Sequence, residues 1–178
     1  MEAQTRIGPE EIVEAIDRIV THILALEPSP EGVIVAGIAN GGVPFGQLLA
    51  AKLSDAYGST VDEGRLNITF HRDDLGKNPI PGEKFRTDFE SSPNDAIVIL
   101  ADDVIFSGRS ARAALAELFD LGRPKRVRLV TLFDRGGRML PIQPDVRGFF
   151  QPIESDQRVT VELDLDQPDN NAITISPQ

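Results

Sequence analysis

The run Ala96-Ile97-Val98-Ile99-Leu100-Ala101 is apolar throughout and passes directly into Asp102-Asp103. An uninterrupted apolar stretch of this length predicts a strand buried on both faces, as inside a parallel sheet. Parallel neighbours need crossover connections, so the stretch commits the chain to alternating strands and helices. Two carboxylates stand where the strand is expected to end. Ser107-Gly108-Arg109-Ser110 then turns the chain into an Ala- and Leu-rich helix running to about Leu121. The N–H groups and positive dipole end of such a helix hold an anion. Gly108 lets backbone approach it closely, and Ser107 and Ser110 add hydroxyl donors. Ionised carboxylates only accept, so Asp102 and Asp103 suit a vicinal diol or a hydrated Mg²⁺. Together these residues describe a site for a phosphorylated sugar.

The rest of the chain repeats the alternation. Ile12, Ile16, Ile19, Val20 and Ile23 lie at the spacing of one helical face, which predicts a helix from Pro9 to Leu26 ended by Pro28 and Pro30. Val33 to Ile38 reads as a second buried strand. It is followed by Ala39-Asn40-Gly41-Gly42 and a helix from about Pro44 to Leu53. Small residues at that strand end fit an anion loop or a plain tight turn equally well. A short strand is expected from Leu66 to Phe70, feeding His71-Arg72-Asp73-Asp74. Gly76 to Lys84 has no apolar periodicity and reads as a lid-like loop. Arg126 to Leu132 predicts another strand, and Val159 to Leu165 alternates like an edge strand with one wet face. Residues 166–172 read as a polar turn. The expected fold is α/β: one domain over residues 1–178, with a mostly parallel twisted sheet, helices on both faces and a crevice beyond the strands' C-terminal ends.

Composition narrows the function classes. The chain has no cysteine, which excludes disulfides and thiolate metal sites, and its two histidines, His22 and His71, are far apart in sequence. The N-terminus lacks the pattern of a signal peptide and no apolar run reaches membrane-spanning length, so a cytoplasmic location without membrane association is expected. A net charge of −10 argues against a surface that attracts nucleic acid as a whole. Arg123, Lys125, Arg126 and Arg128 form one local basic cluster, readable as an RNA contact or as ordinary solvated charge.

The apolar run, acid pair and Ser-Gly-Arg-Ser turn resemble the ribose-phosphate signature of the type I phosphoribosyltransferases. Arg72-Asp73-Asp74-Leu75, Thr87-Asp88, Leu121-Gly122-Arg123-Pro124, Asp134-Arg135-Gly136 and Leu140-Pro141-Ile142 occur in the right order as well. Over about residues 6 to 165 the chain is similar to the bifunctional pyrimidine-operon attenuator and uracil phosphoribosyltransferase family. The resemblance implies a small hood beside the sheet. It also implies transfer of phosphoribosyl from phosphoribosyl pyrophosphate to uracil, giving UMP and pyrophosphate, with Mg²⁺ as cofactor. Asp102, Asp103, Val104, Ile105, Phe106, Ser107, Gly108, Arg109 and Ser110 would then bind phosphoribosyl pyrophosphate. Mg²⁺ would sit at Asp102 and Asp103, largely through the substrate. Ala39, Asn40, Gly41 and Gly42 would form the pyrophosphate loop, with Arg72, Asp73 and Asp103 as catalytic residues and Arg135, Val146, Arg147 and Phe149 at the base. A homo-oligomer, dimer or higher, and an mRNA leader as partner belong to the same implication.

Three departures bear on specificity. Asn40 stands at or beside a position where the family usually carries a basic residue. Phe106 occupies a place where purine-specific relatives commonly carry an acid, which disfavours hypoxanthine and guanine. Arg147 and Phe149 replace a small apolar residue and a lysine. Two alternatives therefore stay open: an attenuator or nucleotide sensor with little or no transferase activity, and a phosphoribosyltransferase for another base.

Overall fold

The computed structural model describes residues 5–39, 41–69 and 87–177. In order these form β1 (Thr5–Ile7), α1 (Pro9–Leu26), β2 (Val33–Ile38), α2 (Gly42–Tyr57), β3 (Asp62–Leu66), β4 (Asp88–Phe89), β5 (Ile97–Ile105), α3 (Arg109–Leu121), β6 (Arg126–Asp134), β7 (Val146–Phe150), β8 (Gln157–Glu162) and β9 (Ala172–Pro177). A six-stranded sheet has the order β4-β3-β2-β5-β6-β7, and all its pairings are parallel except β3 with β4. The expected mostly parallel sheet is observed.

Helices cover both faces. Ile12, Ile16, Ile19 and Ile23 of α1 and Phe45, Leu49 and Leu53 of α2 share one core with Val33, Val35, Ile99, Ala101, Val130 and Leu132. Ala111, Ala113, Ala114 and Leu118 of α3 share the other with Ile34, Ala36, Val98 and Leu100. Alternate residues of β2 and β5 thus feed opposite cores, which is why both strands are apolar throughout. Burying an isoleucine of α1 stabilises the fold by about 1.5–3 kcal/mol. The start of α1 is held by Glu11, whose carboxylate accepts from the Gly8 N–H at 3.1 Å.

The order of strands locates the site. From β2 the chain crosses to β3 on one side, whereas β5 leads to β6 on the other. Connections leave in opposite directions at the β2/β5 boundary, so the loops after these two strands open a crevice there.

Several sequence-based boundaries are corrected. The central strand does not stop at Ala101 but runs through the acid pair to Ile105, because β6 continues beside it as far as Ile105↔Asp134. The strand expected at 66–70 ends at Leu66 and begins at Asp62. Pairing with β2 in the register Ile34↔Asp62 to Ile38↔Leu66 draws polar residues into the ladder. Helix α2 is longer than expected at both ends, starting at Gly42 and closing at Gly58 in a left-handed conformation, φ 68°. Within the expected polar turn, only Pro168–Asn170 forms a 3-10 turn, and Ala172 already opens β9. That strand pairs antiparallel with both β1 and β8 to make a separate three-stranded sheet, in which β8 is an edge.

Candidate active site

The site is assembled where β5 passes under the start of α2. Three glycines make that approach possible. A Cβ on Gly37 would come within 2.6 Å of the Val43 Cα, one on Gly42 would strike the Ala101 carbonyl, and one on Gly41 would strike the Asp103 carboxylate. The loop after β2 therefore lies directly on the acidic end of β5. Asp103, Gly41 and Gly42, expected at ribose and pyrophosphate, are brought together. Ala39 is fixed nearby by its N–H, which donates to the Leu66 carbonyl at 2.9 Å. Asn40, Arg72 and Asp73 lie outside the described residues.

Beyond the acid pair, Asp102 and residues 104–111 enclose a cavity of about 150 Å³. Gly108, at φ 87°, caps α3 in the left-handed region that favours glycine, and no side chain caps the helix. The Arg112 N–H donates to the Gly108 carbonyl at 3.0 Å, beginning the helix immediately after the turn. Ser107 Oγ accepts from the Arg109 N–H at 3.3 Å, which holds the turn in shape. Val104 to Ser110, expected to bind the sugar phosphate, thus line one concave surface that opens at a helix N-terminus.

Electrostatics at the acid pair follow from burial. Asp102 is only 6% exposed. Burial first, then the neighbouring Asp103 charge and the hydrogen bond between the two, push its carboxyl well above the usual carboxylate range. Burial raises Asp103 too, opposed by hydrogen bonds from the Val104 N–H and from Asp102. Ionising the two neighbouring acids together is unfavourable, and a cation or a diol would relieve the repulsion. This donor set fits Mg²⁺ in part. Among the described residues no three His, Cys, Asp or Glu side chains gather, so ligand oxygens and waters would complete the six-fold shell of the ion.

The pair carries a stability consequence. For a raised carboxyl, stability is fully present below the unfolded-state pKa and is lost as pH rises through the folded one. In metal-free, ligand-free protein at neutral pH, Asp102→Asn is therefore expected to raise stability by about 1–3 kcal/mol. It should also flatten stability between acidic and neutral pH, as read by urea unfolding across that range. A variant less stable than wild type at pH 7 would contradict the burial argument.

Residues expected at the base divide into two groups. Arg135 is buried. Its guanidinium lies 4.4 Å over the Phe106 ring and donates to the carbonyls of Glu154 and Gln157, at 3.2 and 3.1 Å. Arg147 stands 4.2 Å over the Phe150 ring and 2.9 Å from Asp134. By contrast, Val146 is buried at the start of β7, paired with Val130, far from the strand's C-terminal end. Phe149 is half-buried against Phe133, with ring centroids 6.2 Å apart. The half-exposed ring at this edge is Phe150. Asp134 and Arg138 were not singled out from sequence for a role of their own. The signal was available, since Asp134 closes the β6 apolar run as Asp102 follows the β5 one.

The Arg123–Arg128 cluster is only partly available to a ligand. Arg126 and Arg128 both bind the buried Glu27, at 3.0 and 2.9 Å, and Arg128 also binds Asp145 at 3.0 Å.

Comparison with known proteins places this geometry. The phosphoribosyl transferase domain family matches residues 6–168. A bifunctional protein PyrR of Alkaliphilus metalliredigens is 41% identical over 160 residues, covering 89% of this chain and 88% of the relative. One from Deinococcus radiodurans is 40% identical, covering 89% and 87%. Among solved structures, the hypoxanthine phosphoribosyltransferase of Trypanosoma cruzi superimposes with a TM-score of 0.64 at 18% identity, over 96% of this chain and 95% of that one. At that identity the likeness supports the fold alone. The chain belongs to the phosphoribosyl transferase family and, within it, to the bifunctional PyrR proteins.

Proposed function

We propose that this phosphoribosyltransferase transfers phosphoribosyl from phosphoribosyl pyrophosphate to uracil, releasing pyrophosphate and UMP in the cytoplasm. The observation that carries the reading is the contact of the Gly41–Gly42 loop with the Asp102-Asp103 pair, one turn before a cavity at the N-terminus of α3. A ribose bound there lies over the acids, with its 5′-phosphate in the cavity and its pyrophosphate on the glycine loop. Asp102 and Asp103 accept hydrogen bonds from the ribose hydroxyls and favour the positive charge that develops at the anomeric carbon. The Ser107–Ser110 turn holds the phosphate and fixes the angle of attack. Asp102 and Asp103, together with ligand oxygens and waters, would hold Mg²⁺, which would supply positive charge to the diphosphate. Arg72, Asp73 and Asn40 keep their expected roles on sequence grounds.

At the base, Phe106 places no titrating acid beside the ring, Arg135 acts through the Phe106 ring it stacks on, and the exposed Arg147 guanidinium has N–H donors beyond the one on Asp134 to offer a ring carbonyl. Val146, whose side chain is in the core, keeps its expected place in this subsite through its backbone groups alone. Phe149 keeps its expected stacking role on sequence grounds, and Phe149→Ala loses packing on Phe133 as well as any stacking on a base. A regulatory role through an operon leader belongs to the same family reading. Any RNA face must be built on more than the Arg123–Arg128 cluster, two of whose four charges are already paired.

Pyrophosphate release, assayed over a panel of bases with and without Mg²⁺, tests the proposal. Uracil is expected to support the fastest turnover, and only with the metal. Faster turnover with hypoxanthine, guanine or xanthine would overturn the pyrimidine assignment. Silence with every base would favour a sensor built on the same fold.

A further inference from the structure

The phosphate turn is braced from outside by the loop after β6. N–H groups of Met139 and Leu140 both donate to the Ser107 carbonyl, each at 3.0 Å. Arg138 adds a side-chain hold. Its Nη1 donates to the Phe106 carbonyl at 2.8 Å, its Nε donates to the Ile142 carbonyl at 3.0 Å, and its Nη2 meets Asp134 Oδ1 at 2.8 Å. The Arg138 side chain is 12% exposed and that of Asp134 is 1% exposed, so the pair is largely out of water. A planar guanidinium can reach these acceptors at once, which an ammonium cannot.

Asp134 is itself over-determined. The Gly136 N–H donates to Oδ1 at 3.0 Å, and Arg147 donates to Oδ2 at 2.9 Å. In register, Asp134 stands beside Ile105, the residue just before Phe106. The anchor and the turn are therefore on adjacent strand ends.

We propose that Arg138, pinned by Asp134, is a positioning residue for the 5′-phosphate turn. The reason is peptide geometry. In a trans peptide the carbonyl points opposite to the N–H of the next residue. Carbonyls of Phe106 and Ser107 held toward residues 138–140 turn the N–H groups of Ser107 and Gly108 the other way, into the cavity that takes the phosphate. Arg138 acts on backbone carbonyls rather than on substrate. The inference rests on the phosphoribosyl reading of that cavity but not on the identity of the base.

Calorimetric titration of ribose 5-phosphate into the full chain tests it, because that probe carries the phosphate and needs no turnover. Arg138→Met is expected to weaken binding roughly tenfold to a hundredfold through a misplaced turn. Asp134→Asn should weaken it in the same direction. The double variant should be little worse than Arg138→Met, since both act through one contact. In steady state, Arg138→Met should raise KM for phosphoribosyl pyrophosphate while KM for the base stays within about twofold. Arg138→Lys, which keeps the charge but loses the planar fork, should stay several-fold weaker and covers the case in which Arg138→Met fails to fold. Wild-type affinity in either Arg138 variant, or additive losses in the double variant, would overturn the proposal. A wild-type chain that does not bind ribose 5-phosphate would remove the phosphoribosyl reading and this inference together. Binding without turnover on uracil would remove only the base assignment.

Discussion

Asp103→Asn is expected to weaken Mg²⁺-dependent binding of phosphoribosyl pyrophosphate by about 2–4 kcal/mol, the scale of a charged hydrogen-bond partner lost from a desolvated site. The amide keeps the shape of the carboxylate, so the change isolates charge and acceptor capacity. Asp103 is the residue on which several demands converge. It lies against Gly41, it is in contact with the buried Asp102, and it stands four residues before the phosphate turn. Asparagine at 103 offers one acceptor oxygen in place of two and cannot balance a cation. Calorimetry with saturating Mg²⁺ reads the loss directly, and a melting curve on the same sample separates it from unfolding. Equal affinities for wild type and variant would remove Asp103 from the ribose and metal assignment.

A second large effect lies at the opposite end of the sheet and concerns stability. Glu27 closes α1, and its carboxylate is 4% exposed. It receives Arg126 Nη1 on both oxygens at 3.0 Å and Arg128 Nε on one at 2.9 Å. Tyr57 donates its hydroxyl to the Glu27 carbonyl, and Asp145 holds Arg128 from the other side. The two ways of breaking this cluster differ. Removing both guanidiniums, Arg126→Ala with Arg128→Ala, strands a buried carboxylate and should destabilise the chain by about 3–5 kcal/mol. Replacing Glu27 by methionine leaves arginines that can reach water and should cost about half of that or less. For a chain of this size the double variant should melt roughly 10 °C lower. Equal losses for the two routes would show that packing, not charge, dominates at this corner.

Much of the fold was legible because the relevant rule is local. Ala96 to Ala101 and Val33 to Ile38 could be assigned to buried strands since each has apolar residues on both parities, and both cores were found to use them. The isoleucines of α1 showed their face at a spacing of three and four. Less was legible where partners rather than propensity decide. Asp62, Glu63 and Arg65 carry no strand pattern, yet they enter β3 because β2 offers a free parallel edge beside them. Ala172, read from sequence as the end of a polar turn, instead opens β9, for which β1 and β8 supply ladders on both edges. At the site, the Ser107–Ser110 turn was readable as a contiguous motif. Val146 is expected at the base because its segment follows the right landmarks, and only the structure shows that its side chain lies in the core.

The sequence by itself determined the alternation of strands and helices, the acid pair, the glycines that follow two of the strands and the family. Each of these is written in adjacent residues, where spacing and chemistry can be read without knowing the neighbours. Tertiary structure alone decided the strand order that brings the loop after β2 onto the end of β5. It also decided the upward shift of the Asp102 carboxyl, which depends on burial beside Asp103, and the pairing of Arg126 and Arg128 with Glu27 and of Arg147 with Asp134. The physical reason is the same in each case. Pairing free energies, desolvation and charge compensation depend on distance in space, and Glu27 and Arg128 are 101 residues apart in the chain yet 2.9 Å apart in the fold.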